Sequence, residues 1–234
     1  MTGLQQLTAG LAGPRDPAQP LLTYVDGPAR VELSGATTAN WVAKTANLLH
    51  DGYGAPDRVG LLLPLHWQTV CFLLGSVAAG ATAVVATSPD ALAGCSLAFV
   101  AADLAEAALD AGVDDVLACS LTPLGTRLAQ VPPMVLDAAV EVPGYGDHFS
   151  SRPAAARLEV AGGTFTPERA DLGPGDRVLT TLDPATPAGL QALLGPLAAG
   201  AALVLLAAGD PDAVAASEGV TAVADRSGLR RRTG

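Results

Sequence analysis

The chain has 234 residues, half of them hydrophobic and 4% aromatic, and its formal net charge is −10. A chain of this length can bury a sizeable core, and its 26 Gly and 18 Pro lie between apolar segments, as in an α/β domain with tight connections. The acidic surface repels phosphate backbones and therefore disfavours nucleic-acid binding.

Residues that could bind metal or react as nucleophiles form no recognisable motif. The cysteines are odd in number and lack metal-ligand spacing, which predicts buried free thiols in a reducing compartment. The histidines are too far apart in sequence to form a ligand pattern. These residues are Cys71, Cys95, Cys119, His50, His66 and His148.

Two apolar stretches, 67–87 and 188–208, approach the length of a membrane span. Both have Arg upstream and Asp downstream, so both would insert in the same direction, which consecutive spans cannot easily do. We therefore interpret both as buried core. The N-terminus lacks the basic region and apolar run of a signal peptide, and we expect a cytoplasmic protein.

In chain order, Leu4, Leu7 and Leu11 predict one or two helical turns. Strands are predicted over 21–26 and 30–34, joined by the turn Gly27-Pro28. The next helix is predicted to begin with a Thr37 or Thr38 cap and to run to about His50.

The stretch that follows predicts a strand, a helix and a second strand. Residues 59–63 form a short apolar run that ends at Pro64, as in a strand buried on both faces. Residues 67–79 have apolar side chains at helical spacing, and Gly80 is predicted to end the helix. Residues 82–85 supply the second strand, parallel to the first.

The middle of the chain alternates short elements and turns. Strands are predicted over 97–100 and 115–119, and one or two within 134–142. Helices are predicted over 102–111, near 124–128 and from Thr166-Pro167-Glu168. A hairpin is predicted around Gly162-Gly163, and Pro132-Pro133 marks a boundary between two halves.

The strand–helix–strand pattern then occurs a second time. Residues 176–182 match 57–63, residues 195–201 match 75–81, and Val204-Leu205 matches Val84-Val85. The repeat predicts an α/β fold of two similar, mostly parallel βαβ halves with helices on both faces. Neither first strand is followed by GxGxxG, so a dinucleotide-binding fold is disfavoured.

Three blocks resemble the N-terminal part of the adenylate-forming superfamily of acyl-CoA synthetases, peptide-synthetase adenylation domains and luciferases. Residues 22–49 resemble its opening hairpin and helix, 57–85 its DRV…GA block, and 172–205 its PGDRVL…PL block. The blocks resemble in particular those of short actinobacterial homologues of this superfamily. The resemblance implies the fold and, for a full enzyme, adenylation of an acid with ATP.

The resemblance also implies a phosphate loop rich in Ser, Thr and Gly, followed by Pro-Lys-Gly, and this chain lacks it. The corresponding interval contains no lysine, and the one lysine of the chain, Lys44, is predicted to be a solvated helix residue. Arg152, Arg157 and Arg169 lie in the interval and are candidates to replace the missing charge. The scattered small residues of the interval are Gly144, Gly146, Ser150, Ser151, Gly162, Gly163 and Thr164.

The family's later motifs for adenine, ribose and the catalytic lysine have no counterpart in these 234 residues. We therefore assign no catalytic, cofactor-binding or metal-binding residue, and no cofactor. Gly75-Ser76 is predicted to pack in a core helix, and Asp114-Asp115 to form a solvated turn. Arg230-Arg231-Arg232 is predicted to be a solvated tail.

Three hypotheses remain open. The first is a non-catalytic homologue that binds a protein partner, including a second copy, or a small acid. The second is a half-enzyme for acyl adenylation or transfer that another chain completes. The third is a structural assembly domain. We expect one domain over 1–234, with pseudo-repeat halves 20–131 and 134–225, tails 1–19 and 226–234, and no nucleic-acid or membrane partner.

Overall fold

The structure, a computed structural model, describes Leu4, Leu7, residues 16–150, Arg152 and residues 155–232. Its strands are β1 (Pro20–Asp26), β2 (Ala29–Ser34), β3 (Arg58–Leu62), β4 (Thr82–Val85), β5 (Leu97–Ala101), β6 (Asp115–Cys119), β7 (Val135–Asp137), β8 (Arg157–Val160), β9 (Gly163–Phe165), β10 (Arg177–Thr180), β11 (Ala202–Ala208), β12 (Ala222–Asp225) and β13 (Gly228–Arg231). Its α-helices are α1 (Gly35–Asn47), α2 (Trp67–Ala79), α3 (Ala105–Asp110), α4 (Ala138–Glu141), α5 (Pro187–Ala198) and α6 (Pro211–Ser217). Single turns of 3₁₀- or π-helix cover Leu48–Gly52, Pro89–Leu92, Ala102–Leu104 and Val142–Gly144.

The strands form two mostly parallel sheets. Sheet A has the order β13-β12-β10-β11-β1-β2, and sheet B has the order β7-β6-β5-β3-β4-β8-β9. Antiparallel pairs occur at the β1–β2 and β12–β13 hairpins of sheet A and at the β8–β9 hairpin of sheet B. This arrangement confirms the predicted α/β fold class.

The two predicted βαβ segments adopt the same local fold in different sheets. In sheet B, β3 crosses over through α2 to its parallel neighbour β4, and β5 then returns to the far side of β3. In sheet A, β10, α5, β11 and β12 repeat that path strand for strand. Because the strand order β5-β3-β4 matches β12-β10-β11, the sequence repeat is a repeat of topology.

Each unit also receives a hairpin that precedes the other unit along the chain. The β1–β2 hairpin, which precedes the first unit, lies beside β11 in sheet A. The β8–β9 hairpin, which precedes the second unit, lies beside β4 in sheet B. Residues on both sides of Pro132-Pro133 therefore contribute to both sheets, and the halves 20–131 and 134–225 remain a prediction.

The core has three parts, which arrange the chain in five layers. The largest cluster fills the space between the sheets and includes Phe72 of α2, Leu193 of α5 and Phe99 of β5. A second cluster covers the outer face of sheet B beneath α3, and a third covers the outer face of sheet A beneath α6. The sheets are thus buried on both faces over their central strands, as expected for parallel sheets.

The first helices begin and end for identifiable reasons. Helix α1 begins one turn earlier than predicted, because Ser34 rather than Thr37 or Thr38 is the cap: its Oγ accepts from the Thr37 N–H at 3.1 Å. Helix α2 ends at Gly80, whose φ of 90° lies in the left-handed region. The two candidate membrane stretches are in fact helix followed by strand, and no described helix is long and apolar enough to cross a membrane.

Two predicted helices are wrong. The segment 124–128 is a turn in which Gly125 has a φ of 60° and Thr122 Oγ1 accepts from the Thr126 N–H. The segment that begins at Thr166 is extended and irregular, because its backbone bonds to α5: Gln191 binds both the N–H and the carbonyl of Glu168.

The terminal segments predicted to be tails contribute to the fold. Leu4 and Leu7 are helical and buried in the central core, whereas Leu11 lies outside the described residues. Residues 228–231 form β13, where Arg231 bonds bidentately to Asp176 and Arg230 pairs with Asp225. The arginine cluster is therefore part of an edge strand and not a free tail over these residues, because two carboxylates hold it in place.

Candidate functional site

A groove opens at the carboxyl end of β10, where the second unit passes from sheet to helix. Ligands of open α/β sheets bind outside the carboxyl ends of strands whose connections leave toward opposite faces. Strands β10 and β11 meet this condition, because α5 packs in the central layer and α6 on the outer face. The β10–α5 connection starts at this point, and the groove lies on its other side, between β10 and the turn after β12.

The β10–α5 connection is a tightly bonded turn. Thr186 caps α5, with its Oγ1 accepting from the Gly189 N–H at 3.0 Å and donating to the Asp183 carbonyl at 2.9 Å. Asp183 Oδ1 in turn accepts from the Ala185 N–H at 2.9 Å. A Cβ on Gly189 would overlap the Asp183 carbonyl oxygen, so only glycine fits this approach. The groove wall is thus fixed by its own hydrogen bonds.

The groove has a volume of about 670 Å³, and one cation faces it. Its lining residues are Thr181, Leu182, Asp183, Thr186, Pro187, Ala188 and Arg226. Arg226 lies in the β12–β13 turn, where Asp225 accepts from the Ser227 N–H at 2.8 Å and pairs with Arg230. The turn engages the neighbouring carboxylate and leaves the Arg226 guanidinium exposed at the groove. The sequence did not single out Arg226, because it fell within the predicted tail.

An apolar depression of about 120 Å³ continues the groove along α5. Ala188 and Arg226 line both cavities. The rest of its lining is mostly apolar and consists of Ala170, Gln191, Ala192, Pro196, Ala224, Asp225, Gly228 and Leu229. Together the two cavities place a guanidinium at the junction between the groove, whose wall carries Asp183 and two threonines, and the apolar depression.

The equivalent edge of sheet B is filled by side chains. His66, which caps α2, is buried beside Tyr24 with ring centroids 4.5 Å apart, and its Nε2 lies 3.3 Å from the Thr122 carbonyl. Trp67 closes the remaining space and donates its indole N–H to the Pro123 carbonyl. Burial lowers the pKa of His66 to about 4, so the imidazole is neutral at pH 7.

Lys44 is not the solvated helix residue that the sequence predicted. Its ammonium donates to the carbonyls of Pro143 at 3.1 Å and Tyr145 at 2.7 Å, and pairs with Asp147 at 2.7 Å. These acceptors end the 3₁₀ turn that follows α4 and extend into the next loop. The chain's one lysine therefore holds the loop 143–147 against α1.

The interval that corresponds to the superfamily's phosphate loop folds into other structures. Gly162 forms the turn of the β8–β9 hairpin with a φ of 75°, and Gly163 begins β9. Arg152, Arg157 and Arg169 are all exposed, and none lines the groove described above. Gly144 and Gly146 belong to the loop bound by α1, Ser150 is exposed, and Ser151 lies outside the described residues.

The arginines of the two DRV motifs have structural partners. Arg58 forms two hydrogen bonds, of 3.0 and 2.8 Å, to the Glu159 carboxylate on β8, which holds the pKa of Glu159 below its usual range. Arg177 reaches the topologically matching position on β1, where it donates to Thr23 Oγ1 at 2.7 Å, and also to Glu218 at 2.6 Å. Each arginine therefore reaches across one intervening strand, β4 for Arg58 and β11 for Arg177, and binds the hairpin added to its sheet.

The remaining candidates have core or turn positions. All three cysteines are free and buried, as predicted, and burial raises the pKa of the Cys71 and Cys119 thiols. Ser76 lies in α2 and donates to the Phe72 carbonyl, in agreement with packing. Within the described part of the chain, no three His, Cys, Asp or Glu side chains are grouped so that they could hold a metal ion.

Comparison with known proteins gives one close relative. No protein-family profile matches the sequence. A protein of Mycobacterium tuberculosis named "TIGR03089 family protein" is 38% identical over 209 residues, which cover 84% of this chain and 86% of that protein. Identity and coverage at this level show common family membership.

Solved structures of adenylate-forming enzymes have the same fold. An acyl-CoA synthetase from Brucella canis matches with a TM-score of 0.74 at 19% identity, covering 95% of this chain and 47% of that one. Acetoacetyl-CoA synthetase from Streptomyces lividans matches with a TM-score of 0.72 at 21% identity, with coverages of 95% and 42%. The anthranilate CoA ligase AuaEII, in complex with anthranoyl-AMP, matches with a TM-score of 0.67 at 17% identity. The match covers 89% of this chain and 45% of that one. The chain thus spans less than half the length of these enzymes, and the resemblance to their N-terminal part is confirmed.

Proposed function

The chain belongs to the TIGR03089 family, and from this membership and its adenylate-forming fold we propose that it is a non-catalytic homologue of acyl-CoA synthetases. Its function is to bind a small carboxylic acid in the groove between the β10–α5 connection and the β12–β13 turn. A cytoplasmic location belongs to the same proposal and is supported by the three buried free thiols.

The engagement of Lys44 is the observation that carries the non-catalytic part. Adenylation needs cationic groups that are free to stabilise the charge developing on the ATP phosphates. Lys44 has three oxygen partners from the loop 143–147, and the interval that should hold triphosphate instead forms the β8–β9 hairpin. Arg152, Arg157 and Arg169 are exposed there and line none of the groove cavities.

The groove supports the choice of an acid as ligand. A carboxylate can accept two parallel N–H bonds from the Arg226 guanidinium, while an alkyl or aryl group fills the apolar depression lined by Ala192, Pro196 and Leu229. The structural relative AuaEII, which was solved with anthranoyl-AMP, handles an acid of this aryl class. Asp183 on the facing wall disfavours dianionic ligands, because a second carboxylate would meet a like charge.

Calorimetric titration with benzoate, anthranilate, butyrate and hexanoate tests the acid-binding part of the proposal. We expect at least one monocarboxylate to bind, and Arg226→Gln to weaken it about tenfold, which is about 1.4 kcal/mol. Arg127→Gln is the matched control, because Arg127 is also exposed but lies in the segment after β6, and it does not line the groove. The corresponding alcohols should not bind.

Two results would contradict acid binding. One is a titration without heat or thermal shift for any acid of the panel. The other is binding that Arg226→Gln and Arg127→Gln weaken equally, because a general loss of positive charge would then explain it.

We propose as the alternative function a half-enzyme for acyl adenylation or transfer that another chain completes, which the fold shared with the N-terminal part of acyl-CoA synthetases supports. This alternative predicts that acid-dependent pyrophosphate release appears only when the protein is mixed with a polypeptide that supplies adenine-binding and catalytic lysine residues. Activity on mixing, with neither chain active alone, would replace the non-catalytic proposal.

A further inference from the structure

Strand β2 forms an open edge of sheet A in the described part of the chain. It has β1 as its one strand partner there, and at six residues it is the longest of the four strands that end the two sheets. The other three, β7, β9 and β13, have three or four residues. An open edge strand is a template for pairing with another chain, and β2 offers the most backbone for it.

The outward backbone groups of β2 belong to Arg30 and Glu32. The β1–β2 hairpin closes at Ala29, and hydrogen-bonded positions alternate along an antiparallel ladder, so Ala29 and Val31 bond to β1. The N–H and C=O groups of Arg30 and Glu32 therefore point away from β1. Within the described residues, no loop or turn backbone bonds to them. These two residues thus offer four main-chain hydrogen bonds to an added strand.

The side chains of the same two residues retain unused hydrogen-bonding atoms. Arg30 donates from Nε and Nη2 to Glu218, and from Nη2 to Glu32 Oε2. The bonds of the described chain use neither Arg30 Nη1 nor Glu32 Oε1, and these side chains are 46% and 34% exposed. Because the residues are two positions apart, the unused donor and acceptor lie on one face of the strand. A cross-strand ion pair can therefore form while the internal bonds remain.

The order of charges along β2 selects both the partner and the register. With a twofold axis at Val31, Arg30 of each copy lies opposite Glu32 of the other copy in a hydrogen-bonded pair. An axis at Arg30 or at Glu32 would place like charges directly opposite each other, which is destabilising. The edge is therefore complementary to itself in one register, and this indicates a second copy of the chain as the partner.

We propose that the protein forms a symmetric dimer in which two β2 strands pair antiparallel around a twofold axis at Val31. The pairing joins the two copies of sheet A into one continuous sheet. This inference does not depend on the acid-binding groove, because the groove lies at β10 and the turn after β12, and β2 is at the opposite end of sheet A.

Sedimentation equilibrium of the full chain tests the dimer. Four main-chain bonds and two ion pairs make a small interface, so we expect the mass to rise from 23.3 kDa toward twice that value between about 5 and about 200 µM. Glu32→Arg and Arg30→Glu each place like charges in both cross-strand pairs and should remain monomeric. Mixing the two variants restores two opposite-charge pairs and should give a dimer, which a folding defect in either variant would not produce.

A disulfide tests the register independently of the charges. In a non-hydrogen-bonded pair the two Val31 Cα atoms lie about 4.5 Å apart, a distance that a disulfide can span. All three native cysteines are buried, so a cysteine introduced at this edge is the accessible thiol. Mild oxidation of Val31→Cys should give a covalent dimer. The matched control Ala29→Cys should not, because its two copies would lie about 14 Å apart along the paired strands.

Three results would overturn the proposal. The first is wild-type protein that stays monomeric at about 200 µM. The second is a mixture of Glu32→Arg and Arg30→Glu that stays monomeric although circular dichroism shows both variants folded. The third is a Val31→Cys variant that forms no more covalent dimer than Ala29→Cys.

Discussion

At the scale of single residues, His66 shows how the two units differ at equivalent edges of their sheets. A neutral imidazole caps α2, packs on Tyr24, and fills the edge of sheet B that corresponds to the groove of sheet A. The Gln68 N–H donates to Nδ1 at 3.2 Å, so the ring proton is on Nε2, which donates to the Thr122 carbonyl. In the first unit this edge of the sheet is therefore filled by core side chains, whereas in the second unit the corresponding edge is an open groove.

His66 predicts a loss of stability in mild acid. Its pKa is about 4 in the folded chain and about 6.5 when unfolded, so between these values the unfolded state binds the additional proton. The free energy of unfolding therefore falls as the pH falls from about 6.5 to about 4, by up to about 3 kcal/mol from this residue. Urea unfolding at a series of pH values measures the change.

The matched variant is His66→Asn, which keeps a capping oxygen and removes the titration. We expect it to be less stable than wild type at pH 7.5, with the difference shrinking as the pH falls toward about 4. A stability difference that stays constant over this range would show that His66 titrates normally.

At the scale of elements, a matched pair of glycines explains how the central layer packs. Gly75 of α2 and Gly195 of α5 occupy equivalent repeat positions. A Cβ on Gly75 would lie 2.5 Å from Thr45 Cγ2 of α1, and one on Gly195 would lie 2.9 Å from the Glu168 carbonyl oxygen. In each unit a neighbouring segment crosses the inner helix where the side chain is absent.

Gly75→Ala is therefore expected to destabilise the protein although alanine favours helix. Overpacking against α1 costs about 1–3 kcal/mol, which exceeds the gain in helix propensity of up to about 1 kcal/mol. Equilibrium denaturation measures the difference. Ser76→Ala is the neighbouring control, because it removes a hydroxyl bonded within the same helix and should cost less. A neutral or stabilising Gly75→Ala would refute the close contact of α1 and α2.

The elements that the sequence predicted correctly depend on local patterns. The apolar runs of β3 and β10 and the helical spacing of α2 remain visible because these strands and helices are buried almost entirely. The helix expected at Thr166 fails because Gln191 and the Gly195 carbonyl capture that backbone, and a tertiary partner of this kind leaves no local signal.

The candidate site was not predictable in the same way. Arg226 reaches the groove because β13 folds back on β12, and the sequence 228–231 reads as a basic tail rather than as a strand. The strand at 228–231 depends on two carboxylates. Asp176, from another part of the chain, pairs with Arg231, and Asp225, from the adjoining turn, pairs with Arg230. The prediction that Lys44 is solvated was wrong for a related reason: its hydrogen-bond partners lie about 100 residues away along the chain.

At the scale of the whole molecule, the exchange of hairpins ties the two units together. The β1–β2 hairpin completes the sheet of the second unit, and the β8–β9 hairpin completes the sheet of the first. The central cluster contains side chains from both sheets and from α2 and α5. Neither unit therefore has a complete sheet or a closed core without segments from the other.

This arrangement predicts that the chain unfolds as one cooperative unit. Both tryptophans, Trp41 and Trp67, lie between the sheets in α1 and α2, so their fluorescence reports the central layer. Circular dichroism reports all helices and strands. The two signals should give the same urea midpoint. Separate midpoints would show that the sheets are stable independently.

The central claim is that the duplicated scaffold of an adenylate-forming enzyme is present without the cationic site for triphosphate. ATP–pyrophosphate exchange with the full chain, Mg²⁺ and a panel of aliphatic and aromatic acids tests it most directly. We predict exchange no faster than in the absence of protein, even for an acid that calorimetry shows to bind. Acid-dependent exchange that scales with protein concentration would contradict the account.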